Sequence, residues 1–209
     1  MYERDQLPDA TTEVAAHQRL YFNRLAEIFD VPQAEEVMDR LRQIVASADL
    51  HPGETVLDVG TGTGVLIPLI QSYRPSLVLA CDLAERMLAR VRQRYPHVPA
   101  FQCDIVRSPV KAASLDVIFM NAMFGNLADK RAACSNAAQA LRPGGRLIVG
   151  HPEGRAFVDH LHAAGELFIE SLPTREEFEA LLGPTGMEVI SYCDEPKLFV
   201  MVAGKIRGS

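Results

Sequence analysis

The stretch from Glu54 to Val65, ETVLDVGTGTGV, constrains this chain more than any other. Thr55, Val56, Leu57 and Val59 form a short apolar, β-prone run, which predicts a buried strand over Thr55–Val59. Gly60, Gly62 and Gly64 follow at alternate positions, and Val65, Leu66, Leu69, Ile70 and Tyr73 then recur at helical spacing. Glycine accepts positive φ and lets the backbone approach a ligand closely. The first N–H groups of the helix have no partner within it and are expected to face a ligand's polar end. Asp58 stands at the end of the strand, where a buried carboxylate is costly unless paired. It is expected to accept hydrogen bonds from the glycine loop and to face a ligand ammonium. Strand, glycine turn and helix together predict a nucleotide-binding unit.

Two ligands compete for such a unit, beside the possibility of an accidental glycine-rich turn. Dinucleotide sites favour G-x-G-x-x-G or A, whereas this chain reads G-T-G-T-G-V and ends that pattern on Val65. The pattern E/D-x-G-x-G-x-G is matched at every place by Asp58–Gly64. The stretch therefore resembles motif I of the class I S-adenosylmethionine (AdoMet)-dependent methyltransferases, which implies Asp58, Gly60, Thr61, Gly62 and Gly64 around that cofactor. Ser76–Cys81 reads as a second buried strand ending on Asp82, which lies 18 residues past Gly64. That is close to the ~20-residue spacing of a ribose-binding acid, and one carboxylate can serve two ribose hydroxyls. A helix cap is the alternative role. The phrase CDLAERML resembles the family's motif II, implying Leu83 on the adenine face and Met87 at its edge. Pro99–Cys103 reads as a third strand. The phrase QCDIVRSP resembles motif III, implying that Asp104 accepts from the adenine amino group and that Ile105 closes the ring's other side. LRPGGRLIVG resembles the family's signature before its fifth strand.

The remaining segments are read around this unit. Residues 1–10 are expected to be a loose arm. Thr11–Asp30 predicts a helix with Val14, Tyr21, Leu25 and Ile28 near one face, and Gln33–Ala48 a second with Val37, Leu41, Ile44 and Val45 inward. LYFNRLAEIFD resembles the entry of ubiquinone/menaquinone-type methyltransferases. This implies that the two helices form a lid and that Tyr21 and Phe22 touch the cofactor's methionine end, unless they are plain core residues. Arg86, Arg90, Arg92 and Arg94 read as a solvated helix face.

Leu115–Met120 predicts a fourth strand, and the loop opening at Asn121 should pass beside the transferable methyl, so Asn121 joins the cofactor-binding set. That loop lacks the [DN]-P-P-[YF] signature of base-methylating enzymes. Leu127–Leu141 predicts a helix, Arg142–Gly145 a turn and Leu147–Gly150 a fifth strand. His151, just beyond it, is the candidate general base, with an unperturbed pKa near neutrality; a structural histidine is the competing reading. Glu153 and Arg155 could bind a charged acceptor or pair with each other. Phe157, Val158, Leu161 and Ala164 predict the apolar face of a helix. His160 and His162 would sit ~160° apart on it, so no metal site is expected. Thr174 and Glu177 predict a capping box. Met187–Cys193 and Leu198–Ala203 predict a closing hairpin, unusual for a dehydrogenase.

With 209 residues the chain is long enough for one domain, here read as a lid over 1–50 and a core over 51–204. The fold expected is α/β: a Rossmann-like, seven-stranded, mainly parallel sheet with a C-terminal antiparallel hairpin, helices on both faces and the N-terminal lid. A net charge of −6 offers nucleic acid no general attraction. No apolar run nears the ~20 residues that span a bilayer, and the polar start lacks a signal-peptide core. Four cysteines without a C-x-x-C pair read as reduced thiols of a cytoplasmic protein. The resemblance implies AdoMet-dependent methyl transfer to a small-molecule acceptor. A nucleic-acid or protein methyltransferase, a non-catalytic AdoMet-binding module and an NAD-dependent dehydrogenase are the alternatives.

Overall fold

A computed structural model describes residues 10–107, 110–165 and 169–207. The loose arm expected over 1–10 lies, apart from Ala10, outside them. Seven strands form one sheet: β1 (Thr55–Val59), β2 (Leu77–Asp82), β3 (Ala100–Gln102), β4 (Leu115–Asn121), β5 (Leu141–His151), β6 (Met187–Glu195) and β7 (Leu198–Lys205). Their order is β3-β2-β1-β4-β5-β7-β6, with β7 antiparallel to both neighbours and every other pair parallel. The chain runs outward from β1 to β3 and then returns to place β4 on the other side of β1. At such a reversal the loops leaving neighbouring strands diverge, and a crevice opens beyond their carboxyl ends.

Both faces of the sheet are covered, so its strands are apolar on consecutive positions. Leu57, Ile118, Met120, Leu147 and Val149 face α5 (Lys130–Ala140) and α7 (Arg175–Leu182), meeting Ala137 and Phe178. Val56, Val117, Phe119 and Ile148 face α2 (Glu35–Ala46), α3 (Ile67–Gln71) and α4 (Glu85–Arg94), meeting Ile44, Ile70 and Val91. The two expected lid helices therefore have different roles. α2 packs on the sheet through Leu41, Ile44 and Val45, and only α1 (Ala10–Leu25) with the turn after it borders the crevice.

Several boundaries differ from the sequence expectation. α3 starts only at Ile67, so the glycine loop rather than a helix end faces the crevice. The expected Arg142–Gly145 turn is absorbed into β5 as a bulge: Leu115 pairs with Leu141 but Val117 with Arg146, and Gly144 takes φ +81°. In α6 (Gly154–Ala163) Val158 is buried, while Phe157 and Ala164 are exposed, so the expected apolar face is mostly outside. α7 opens with the expected capping box of Thr174 and Glu177, and the closing hairpin forms as expected. Cys81, Cys103 and Cys134 are buried cysteines outside any disulfide, and Cys193 is a half-buried one. Among the described residues no helix is long and apolar enough to cross a membrane.

Gly150 shows how tightly α2 is seated. A Cβ there would stand 2.7 Å from Cγ2 of Ile44, which is fully buried and has nowhere to turn. Gly150→Ala should lower stability by about 1–3 kcal/mol, the usual cost of overpacking. Ile44→Ala, which removes Cγ2, should cost less in the Gly150→Ala background than alone in a double-mutant cycle read by denaturant unfolding; additive losses would show that the two residues do not press on each other.

Candidate functional site

A cleft of about 200 Å³ lies where the topology predicts, beyond the ends of β1, β2, β3 and β4. Its floor is the glycine loop. Gly60, Gly62 and Gly64 take φ of +66°, +55° and +89°, a region that side chains rarely adopt. Their surroundings differ. A Cβ on Gly60 would stand 2.8 Å from Met123, and one on Gly64 2.9 Å from Ile67 and Tyr95. One on Gly62 would meet nothing within 4 Å. The first and third glycines are thus demanded by packing, whereas the middle one presents bare backbone beside open space. The loop is tied to β2 by Thr61 N–H donating to the Cys81 carbonyl (3.0 Å) and Gly62 N–H donating to Asp82 Oδ2 (2.9 Å).

Three carboxylates face this space. Asp58 is only 2% exposed and accepts from the Thr61 hydroxyl at 2.7 Å. Burial pushes its pKa up to about 7; the Thr61 hydroxyl opposes the shift and the Asp82 carboxylate adds to it. Asp82 accepts from Gly62 N–H and, through Oδ1, from Ala84 N–H at 2.8 Å. Burial raises its pKa, while backbone N–H groups of Ala84, Gly62 and Leu83 oppose the rise. Asp104 Oδ1 accepts from Val106 N–H at 3.0 Å. Among the described residues the wall includes no Lys, Arg or His. A cleft with three acids and no base suits a cationic ligand, and AdoMet carries both a sulfonium and an ammonium. The bare Gly62 backbone and this donor set fit that cofactor.

Of the residues expected to bind cofactor, Asp58, Gly60, Thr61, Gly62, Asp82, Leu83, Met87, Asp104, Ile105 and Asn121 all line the cleft. Tyr21 and Gly64 do not. Gly64 is turned toward Ile67 and Tyr95, and Tyr21 is 41% exposed, edge-on to Phe22. α1 faces inward through Ala15, Gln18, Phe22 and Ala26 instead of the expected stripe, and Ile28 is 65% exposed. Gln18 is buried and donates through Nε2 to the Asn126 carbonyl, joining α1 to the loop after β4. Met123 and Leu127 of that loop complete the wall. Asn136 of α5 was not foreseen: its Nδ2 donates at 2.8 Å to the carbonyls of Ile105 and Val106, holding the loop after β3 in place.

His151 is not brought to the cleft. Strand alternation puts it on the Val149 face, with its ring 5.6 Å from that of Phe157, and its Nδ1 accepts from Glu153 N–H at 3.2 Å. Burial lowers its pKa to about 4, with the Glu153 carboxylate opposing. Nor do Glu153 and Arg155 pair with each other: Glu153 meets Arg40 at 2.8 Å and Arg155 meets Asp194 at 2.7 Å. The α4 arginines are more than a solvated face. Arg94 and Arg90 reach Asp30 at 2.6 and 3.5 Å, and Arg86 N–H donates to Asn23 at 2.8 Å, tying α4 to α1 and its turn.

The raised pKa of Asp58 has a sign that can be tested. A group with its folded pKa above the unfolded 3.8 favours the fold below that value, and the contribution is lost as pH rises through about 7. The shift corresponds to at most about 4 kcal/mol. Without ligand, Asp58→Asn should therefore gain stability over the native chain at pH 8 relative to pH 5. An equal difference at both pH values, measured by denaturant unfolding, would contradict a desolvated Asp58.

Comparison with known proteins agrees with this geometry. Residues 57–149 match the family model described as "Methyltransferase domain". The chain is 30% identical over 173 residues to an O-methyltransferase of Penicillium expansum, covering 77% of this chain and 62% of the relative. It is 34% identical over 120 residues to a demethylmenaquinone methyltransferase of Mycobacterium sp., covering 56% and 50%. The chain spans about a third to two thirds of the length of the curated relatives it matches. Its fold is similar to that of a SAM-dependent methyltransferase from Aquifex aeolicus, with a TM-score of 0.69 at 20% identity over 88% of this chain and 98% of that one. Residues 57–149 thus match a methyltransferase domain, and the sheet that continues it to the terminal hairpin has the fold of SAM-dependent methyltransferases.

Proposed function

We propose that this chain transfers the methyl group of AdoMet to a small-molecule acceptor. The observation that carries the reading is the bare backbone of Gly62 beside open space, set among three carboxylates and no cation. When bound, AdoMet supplies a methyl group already activated by its sulfonium. The chain's own part is to bind, orient and exclude water. In this reading Asp58 holds the cofactor's ammonium, Asp82 the ribose hydroxyls and Asp104 the adenine amino group, with Leu83 and Ile105 on either side of the ring. Asn121, Met123 and Phe22 border the reacting end.

The relatives' names support a small acceptor, since one is a demethylmenaquinone methyltransferase. The net charge of −6 argues against a nucleic-acid substrate. Among the described residues the cleft wall includes no histidine, which favours catalysis by positioning over proton removal by a side chain. His151, below α6, then has a structural role.

Calorimetric titration should show AdoMet and its demethylated product S-adenosylhomocysteine binding, with NAD bound far more weakly. Tighter binding of NAD would sink the reading. Asp82→Ala should weaken AdoMet by roughly 1.5–3 kcal/mol, the scale of hydrogen bonds to a charged group, which is about 10- to 150-fold. Unchanged affinity in the folded variant would move the ribose elsewhere. His151→Gln should alter kcat less than about fivefold and leave the pH profile in place; a loss of 10²–10⁴-fold would restore it as general base.

A further inference from the structure

The cleft wall beyond the three carboxylates has a composition of its own. Ala15 and Phe22 come from α1, Val106 from the turn after β3, and Met123 and Leu127 from the loop after β4. The polar groups interleaved with them are carboxamides: Gln18, Asn121 and Asn126. Gln18 spends a donor on the Asn126 carbonyl, while Oδ1 of Asn121 is buried without a partner among the described residues. The apolar wall continues outward. Phe29 lines the cleft yet is 45% exposed, and its chain neighbours Ile28 and Val31 are 65% and 58% exposed. The nearby cations are engaged elsewhere. Arg90 and Arg94 are paired with Asp30, and Arg86 donates to the Asn23 carbonyl.

From this arrangement we infer that the acceptor is uncharged and largely apolar, neither a carboxylate nor an ammonium compound, and that it enters between Phe22 and the Met123–Leu127 loop. The inference rests on the AdoMet reading and adds the substrate class to it. A carboxylate in this half of the cleft would be stripped of water with no cation to pair with, beside three carboxylates already present. With the cofactor's ammonium and hydroxyls on those carboxylates, an ammonium compound is stripped of water in this half of the cleft without an unmatched carboxylate to pair with, and a protonated nitrogen has no electron pair for the methyl group. An uncharged acceptor loses neither way, because its apolar body replaces water against Phe22, Met123 and Leu127. Its polar atom finds carboxamides, which donate and accept without charge. In the transfer, an electron pair on the acceptor atom forms the bond to the methyl carbon as the carbon–sulfur bond breaks. The sulfur keeps that bond's electrons and becomes a neutral thioether. Any proton on the acceptor atom leaves to water.

The test uses full-length protein saturated with S-adenosylhomocysteine, so binding of that ligand is established first; its failure would count against the AdoMet reading itself. Three probes of matched size are then compared by ligand-observed NMR at pH 7.5: 4-butylphenol, 4-butylbenzoate and 4-butylbenzylammonium. The phenol should bind at least about tenfold more tightly than either ion. Ala128 is exposed on the rim of the cleft, so Ala128→Arg should fold normally and add a cation beside the wall. In that variant the phenol-to-benzoate ratio should fall by at least about fivefold, with S-adenosylhomocysteine affinity unchanged. Equal or tighter binding of either ion by the native chain overturns the inference. So does absence of binding by all three probes, or a ratio that Ala128→Arg leaves unmoved.

Discussion

The site depends on one short crossing between neighbouring strands: the Asp82 carboxylate accepting from Gly62 N–H at the end of β1's loop and from Ala84 N–H at the start of its own. Asp82 thereby holds two loops at a fixed separation, and the cleft is the space between them. Gly62 can be held this way because φ +55° costs glycine little. A residue with a Cβ would reach the same place strained and would project into the space a ligand needs. Thr61 completes the arrangement by donating to the carbonyl of Cys81 from its backbone and to Asp58 from its hydroxyl. Each side chain here thus serves the loop's shape, and Asp82 does so without capping α4, whose N-cap position is Ala84.

The same crossing brings like charges together. Burial raises the cost of ionising both Asp58 and Asp82, and the Asp82 carboxylate adds to it at Asp58. The ligand-free fold therefore carries a local destabilisation that a cation relieves. Active sites commonly keep such an imbalance because the ligand, absent during folding, supplies the missing partner. Several carboxylates elsewhere are matched internally. Glu54 meets Arg146 through both oxygens at 2.8 Å, and Asp116 meets Arg142 at 2.6 Å. Asp194 meets Arg155 at 2.7 Å. The contrast between these pairs at the sheet's periphery and the unmatched acids at its carboxyl edge marks the site without reference to any motif.

Much of this was legible from local pattern. β1 is legible to the residue because four apolar or β-prone positions run into a glycine, and both flanks carry turn chemistry. Asp82 and Asp104 were found because parallel strands put their last residues at one edge. The misses share a cause. α1 carries apolar side chains all round, so spacing alone favoured Tyr21 and Ile28, whereas tertiary contacts selected the Ala15–Gln18–Phe22 stripe. The i, i+3, i+7 spacing of that stripe was present in the sequence, but a glutamine at its centre argued against a buried face. His151 is expected at the cleft from its position after β5, but its ring packs against Phe157 of α6 and does not line the cleft. The Arg142–Gly145 bulge was read as a turn because proline and glycine signal both, and only pairing with β4 tells them apart.

The two N-terminal helices follow different physics, and this bears on how the cleft works. α2 is held by buried apolar contact, with Ile44 pressed against Gly150. α1 is held largely by polar ties at the ends of other elements: Gln18 to the Asn126 carbonyl, Asn23 to the first turn of α4, and the Phe29 carbonyl to the Thr63 hydroxyl. Asp30 beyond it is held by Arg90 and Arg94. Hydrogen bonds to water replace such ties at small net cost, whereas apolar burial has no such substitute. The wall formed by α1 therefore joins the cleft through contacts that water can replace, whereas α2 and the sheet that carries the carboxylates join through apolar burial that it cannot.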